Sequence, residues 1–202
     1  MFRCLILSLL MLNCAAAQAS DSLTFPAHTP GSKGTVVVVA PAGAPVDSGR
    51  WQRILLRTLP EHGWQTLSVS YSDGPEVLPG LIEGAPAPQF WVLSGARAGT
   101  VIAALAERQL PKPQGLVLLG PYLPDSEANA ALPGQLAALG IPVLDLNGPG
   151  DHPMARATTT ERHTANRRSG NPNYRAMTWS LDWDQSPDTL AQRIRGWIQP
   201  LQ

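Results

Sequence analysis

The chain has only two cysteines, Cys4 and Cys14, and both fall within its first fourteen residues. No disulfide can brace the remainder, so stability has to come from a packed core. Charge of one sign is not in excess: fifteen lysines and arginines stand against fifteen aspartates and glutamates. That balance excludes the broad basic footprint of a nucleic-acid binder. Long apolar runs are missing as well. The stretch from Cys4 to Cys14 is roughly half of the ~20 residues that span a bilayer as a helix, and no later segment approaches that length. Histidine does not occur after His163. Nothing in the sequence asks for a metal or a cofactor.

The chain opens with a secretory layout. Arg3 supplies a positive start, the apolar run comes next, and small residues occupy Ala15 to Ala19. Cleavage after Ala19 satisfies the small-x-small rule through Ala17 and Ala19, with Ala17 as the neighbouring alternative. A lipid anchor on Cys14 is disfavoured, because Asn13 sits where lipoprotein signals carry a small residue. The expectation is a signal peptide over residues 1–19 and a single domain over residues 20–202, periplasmic or secreted and without a membrane span. Removing the signal deletes only Arg3 among the charged residues, leaving a net charge of about −1 at neutral pH.

Short continuous apolar runs, as in strands buried on both faces, recur at Thr35 to Ala40, Thr66 to Val69, Phe90 to Ser94, Leu116 to Gly120 and Val143 to Leu146. A weaker sixth spans Tyr174 to Trp179. Helix-length patterns lie between most of them: Ser48 to His62 before Gly63, Ala98 to Gln109, Ser126 to Leu139 before Gly140, and Met154 to Arg168 before Gly170. A last helix from Pro187 to Gln199 lines up Leu190, Ile194, Trp197 and Ile198 on one face. Tyr71 to Gln89 lacks helical period, so the crossover there is missing or minimal. The twenty prolines and eighteen glycines punctuate loops. The pattern is that of an α/β protein with a parallel sheet of about six strands and helices on both faces, whose site belongs at the carboxyl ends of the strands.

A strand followed by Pro41-Ala42-Gly43-Ala44, a helix ending Leu59-Pro60-Glu61-His62-Gly63-Trp64, and the strand Gln65-Thr66-Leu67-Ser68-Val69-Ser70 together resemble the α/β-hydrolase superfamily. More narrowly the chain is similar to the bacterial DUF3530 group of exported proteins. The resemblance implies a reduced hydrolase fold with a sharp elbow, Gly-x-Ser-x-Gly, after the strand Phe90 to Ser94. The matching residues are Gly95-Ala96-Arg97-Ala98-Gly99, which puts Arg97 where the serine should be. An arginine stays protonated and offers donors only, so it neither attacks nor accepts a proton. The triad acid falls on Asp151, Asp145 belonging to the strand before it. The segment due to carry the histidine reads Trp179-Ser180-Leu181-Asp182-Trp183-Asp184. The implied protein is a hydrolase-like scaffold without the ordinary hydrolase mechanism.

Two arrangements would keep a function at that edge. Ser94 with His152 and Asp151 would form a relocated esterase-type set. Alternatively Arg97, with the backbone of Ala42, Gly43 and Ala96, would receive a small anion such as a carboxylate or phosphate. A plain ion pair between Arg97 and Asp151 is the simpler outcome. Arg156, Arg162, His163, Arg167 and Arg168, then Arg175, read as a solvated basic face that an envelope partner could use.

Overall fold

The computed structural model describes residues 21–41 and 44–201. The expected signal peptide and the loop residues Ala42 and Gly43 lie outside these. Seven strands form one sheet: β1 (Asp21–Phe25), β2 (Thr35–Val39), β3 (Gln65–Ser70), β4 (Gln89–Ser94), β5 (Gly115–Leu119), β6 (Val143–Asn147) and β7 (Tyr174–Thr178). Their order is β1-β3-β2-β4-β5-β6-β7, parallel except for β1, which runs antiparallel to β3 with Asp21 opposite Ser70 and Phe25 opposite Thr66. The expected six strands are all present. The seventh, β1, escapes a search for apolar runs because it is half-buried: Leu23 and Phe25 alternate with exposed Ser22 and Thr24.

The central strands are buried on both faces, as the run Val36, Val37, Val38, Val39 requires. Val36, Val38, Phe90, Val92 and Val117 face one helical layer, α1 (Arg50–Thr58) and α7 (Pro187–Ile198). Val37, Trp91, Leu93 and Leu118 face the other, built on α3 (Gly95–Ala106) and α4 (Ser126–Ala138). The Tyr71 to Gln89 link holds one short α2 (Leu78–Leu81) after a single 3₁₀ turn, pinned by Leu78 and Ile82 in the core. The minimal crossover is thus one turn of helix.

The expected helix from Met154 to Arg168 is two: α5 (Pro153–Ala157) and α6 (Thr159–Arg168), parted at Thr158. The cause is Arg162. Its guanidinium donates to Thr158 Oγ1 at 2.7 Å and to the Ala155 carbonyl at 3.0 Å, an acceptor that a continuous helix would keep for its own backbone. Arg162 is therefore not part of a solvated face; it is fully buried and paired with Asp145 at 2.9 Å. Asp145 also accepts from the Tyr174 hydroxyl at 2.7 Å, while Arg162 reaches on to Asn147 Oδ1. Burial, then the charge of Asp145 and that hydrogen bond, push the Tyr174 phenol far above its ordinary range.

Candidate functional site at the carboxyl edge of the sheet

β2 is flanked by β3 on one side and β4 on the other, so the crossovers leave in opposite directions there. The crevice of such a sheet opens at that switch point, between the carboxyl ends of β2 and β4. β4 passes into α3 without a connecting loop, and the residue that makes the turn is Gly95, with φ of +56°. Arg97, expected at the apex, lies two residues further on within α3 and has no left-handed backbone; Arg108 is the one such non-glycine among the described residues. The left-handed turn at the end of β4 is thus made by a residue with no side chain. In the sequence Ser94-Gly95-Ala96-Arg97-Ala98-Gly99, glycines frame Arg97 at the motif's spacing, while the left-handed backbone falls on Gly95. Only the φ angle shows which residue turns.

Arg97 points toward the loop after β3. Its terminal nitrogens donate to the Tyr71 carbonyl and, at 3.4 Å, to that of Asp73, and the guanidinium lies 4.0 Å from the centre of the Tyr71 ring. The ion pair with Asp151, one of the two outcomes open for Arg97, does not form; the ion pair among the described residues is the one between Arg162 and Asp145. Burial raises the Tyr71 phenol pKa, and the neighbouring Arg97 opposes that rise. Arg97 thus ties α3 to the β3 loop. Of the loop after β2, the Ala44 N–H closes back on the Pro41 carbonyl at 3.1 Å, and the Ala44 carbonyl accepts from Ser70 Oγ at 3.1 Å.

The next two strand ends close over Gly95. Tyr122 donates its N–H to the Gly95 carbonyl at 3.3 Å, and its ring stacks on His152 with centroids 4.2 Å apart. Asp151 is buried against Gly120, whose φ is +53°; a methyl group there would stand 2.6 Å from the carboxyl carbon. Asp151 accepts the Gly148 N–H at 2.8 Å. Burial is the main influence and raises its pKa, the Gly148 bond and the charge of Arg162 pulling the other way.

Ser94, Asp151 and His152 come to the same edge without a hydrogen bond between any two of them among the described residues. His152 instead accepts the Met154 N–H on Nδ1 at 3.3 Å, capping α5. After β7, Trp183 packs over Gly148 and sits 6.0 Å from Trp179, whose indole donates to Ser186 at 2.9 Å. Asp184 caps α1 by accepting the Trp51 N–H at 2.8 Å. Asn129, unremarked in the sequence, is buried between Leu123 N–H (2.9 Å) and the Met154 carbonyl (2.9 Å), and so fixes the two loops that carry Tyr122 and His152. Its signal in the sequence is slight: a polar residue on the inward side of α4.

The Asp151 carboxyl is raised in the folded chain, so its contribution to stability is fully present below the ordinary carboxylate value of about 4 and is lost as pH rises through the folded value. Asp151→Asn, which keeps an acceptor for Gly148, removes that loss. The melting temperature of the variant relative to the parent is expected to climb between acid and neutral pH. A relative fall over the same interval would mean that the fold favours the ionised carboxylate.

Mixed-sheet order, helices on both faces and a glycine-hinged turn from β4 into α3 define an α/β-hydrolase fold. The chain belongs to the DUF3530 family, described as proteins of unknown function, whose pattern it matches over residues 85–200. Among solved structures it is similar to Est1E from Butyrivibrio proteoclasticus, at 12% identity and a TM-score of 0.69 over 92% of this chain and 96% of that one. It also resembles the dienelactone hydrolase from Anabaena variabilis (15%, TM-score 0.66, 92% and 93%) and the acyl-protein thioesterase 2 of Zea mays (14%, TM-score 0.59, 88% and 99%). At such identities the likeness is one of fold. No curated protein matches the sequence. No helix among the described residues is long and apolar enough to cross a membrane.

Proposed function

We propose that this chain is an exported, non-hydrolytic member of the α/β-hydrolase fold that works by binding an anionic ligand. The observation that carries the reading is Gly95 at the left-handed turn, where a hydrolase needs a nucleophile. The absence of a hydrogen bond between Ser94 and His152 among the described residues, and the tryptophans in the segment after β7, support it, since no general base is joined to Ser94. Residual rate from binding and backbone donors alone falls orders of magnitude short of a complete triad. Arg97, its fork taken up by carbonyls, is assigned a scaffolding role in place of anion capture.

The test uses protein recovered from the bacterial envelope with its mass beginning at Ser20. A fluorophosphonate probe is expected to leave no adduct on any serine, and short-chain acyl esters to go unhydrolysed. An adduct on Ser94, or ester turnover that Ser94→Ala abolishes, would establish the relocated set and overturn the proposal.

A further inference from the structure

A groove of about 700 Å³ runs between β7 and the C-terminal half of α7, away from Gly95 and the loops around it. Its floor is apolar: Leu144 of β6, Met177 of β7 and Trp197 of α7, all part of or packed against the core on that face. Its polar wall carries Arg175, Arg193 and Arg195, and no aspartate or glutamate lines it. Among the described residues the side chains of Arg175 and Arg193 make no hydrogen bond or ion pair, and that of Arg195 meets His62. Two permanent positive charges, Arg175 and Arg193, line one concavity without a counter-ion from the protein, Arg195 being shared with the neighbouring cleft of His62 and Glu61, although the chain as a whole is balanced in charge.

We infer that this groove is a binding site for a single-chain anionic amphiphile, with a carboxylate or phosphate head held by the arginines and an alkyl or aryl body along Leu144, Met177 and Trp197. Guanidinium forks match the two oxygens of such heads, and the volume is that of a small-molecule site. The apolar floor is what separates this ligand from a free inorganic anion, which would leave it wet. The inference rests on the binding reading above and gives it a location the turn at Gly95 does not supply.

Calorimetric titration of the full mature chain with decyl phosphate, below its micellar concentration, tests it. One molecule is expected to bind per chain, at least tenfold more tightly than inorganic phosphate or decanol. Arg175 and Arg193 are exposed, so Arg175→Gln with Arg193→Gln is expected to melt with the parent and weaken binding at least tenfold. Should the pair melt early, each single variant, losing about threefold or more, decides the matter. Absence of saturable binding, unchanged affinity in the variants, or equal affinity for inorganic phosphate or decanol would overturn the assignment. So would a concentration-dependent dimer that the paired variant dissolves, which places a second copy in the groove. Failure here without ester turnover leaves the non-hydrolytic reading standing; turnover sinks that reading whatever the groove does.

Discussion

Arg162→Met is expected to lower the melting temperature by about 10 °C, from the loss of about 3–5 kcal/mol when one partner of a buried ion pair is removed from a chain of this size. Arg162 and Asp145 are both fully buried. Methionine fills much of the volume but leaves the Asp145 carboxylate with the Tyr174 hydroxyl as its remaining donor, far from water. Asn147 and Thr158 lose a donor at the same time. The loss should therefore spread from β6 to the junction of α5 and α6, which Arg162 holds open. Calorimetry or circular dichroism reads the shift. A drop worth less than about 1 kcal/mol would show that water or a rearranged side chain replaces the guanidinium. The companion variant Arg162→Met, Asp145→Leu, Tyr174→Phe removes the ion pair and the phenol hydroxyl together, leaving Thr158 and Asn147, and should recover most of the loss, because no buried charge then lacks a partner.

The same pair shows where the sequence could and could not be read. Asp145 within an apolar strand was legible as a strand residue, since Leu144 and Leu146 bracket it. Arg162 was not legible as its partner, because arginines at 156, 167 and 168 make the whole segment look solvated, and only tertiary contact singles out the one that turns inward. Strands buried on both faces announce themselves by continuous apolar runs; β1, half-exposed and paired with a strand some forty residues away, does not. At the site, residue types gave the location. Asp151 and His152 lie at the carboxyl edge, against Gly120 and Tyr122 of the loop after β5. Direction was beyond reach. Whether Arg97 points at Asp151 or at Tyr71, and whether Gly95 or Arg97 makes the turn, depends on φ angles and rotamers that composition does not fix.

Gly99→Ala should be among the most disruptive single-methyl additions in this chain, costing about 3 kcal/mol or more, since overpacking ordinarily costs about 1–3 kcal/mol where side chains can move aside. Here the obstacle is backbone: a Cβ on Gly99 would sit 2.6 Å from the Tyr122 carbonyl carbon and closer still to its oxygen. Tyr122 cannot yield freely. Its N–H is bonded to the Gly95 carbonyl, its ring is stacked on His152, and Leu123 beside it is held by Asn129. The added methyl must therefore push α3 off the β5 loop or break that set, and either movement carries the Gly95 turn with it. Gly134→Ala is the control, in an exposed part of α4 with nothing within 4 Å of the new methyl, and it should stabilise by roughly 0.5–1 kcal/mol through helix propensity and the unfolded chain. Denaturant titration of both variants gives opposite signs if the close approach of α3 to Tyr122 sets the shape of this edge. If Gly99→Ala costs no more than about 1 kcal/mol, the loop after β5 is free to move, and the closed arrangement over Gly95 is not fixed by packing.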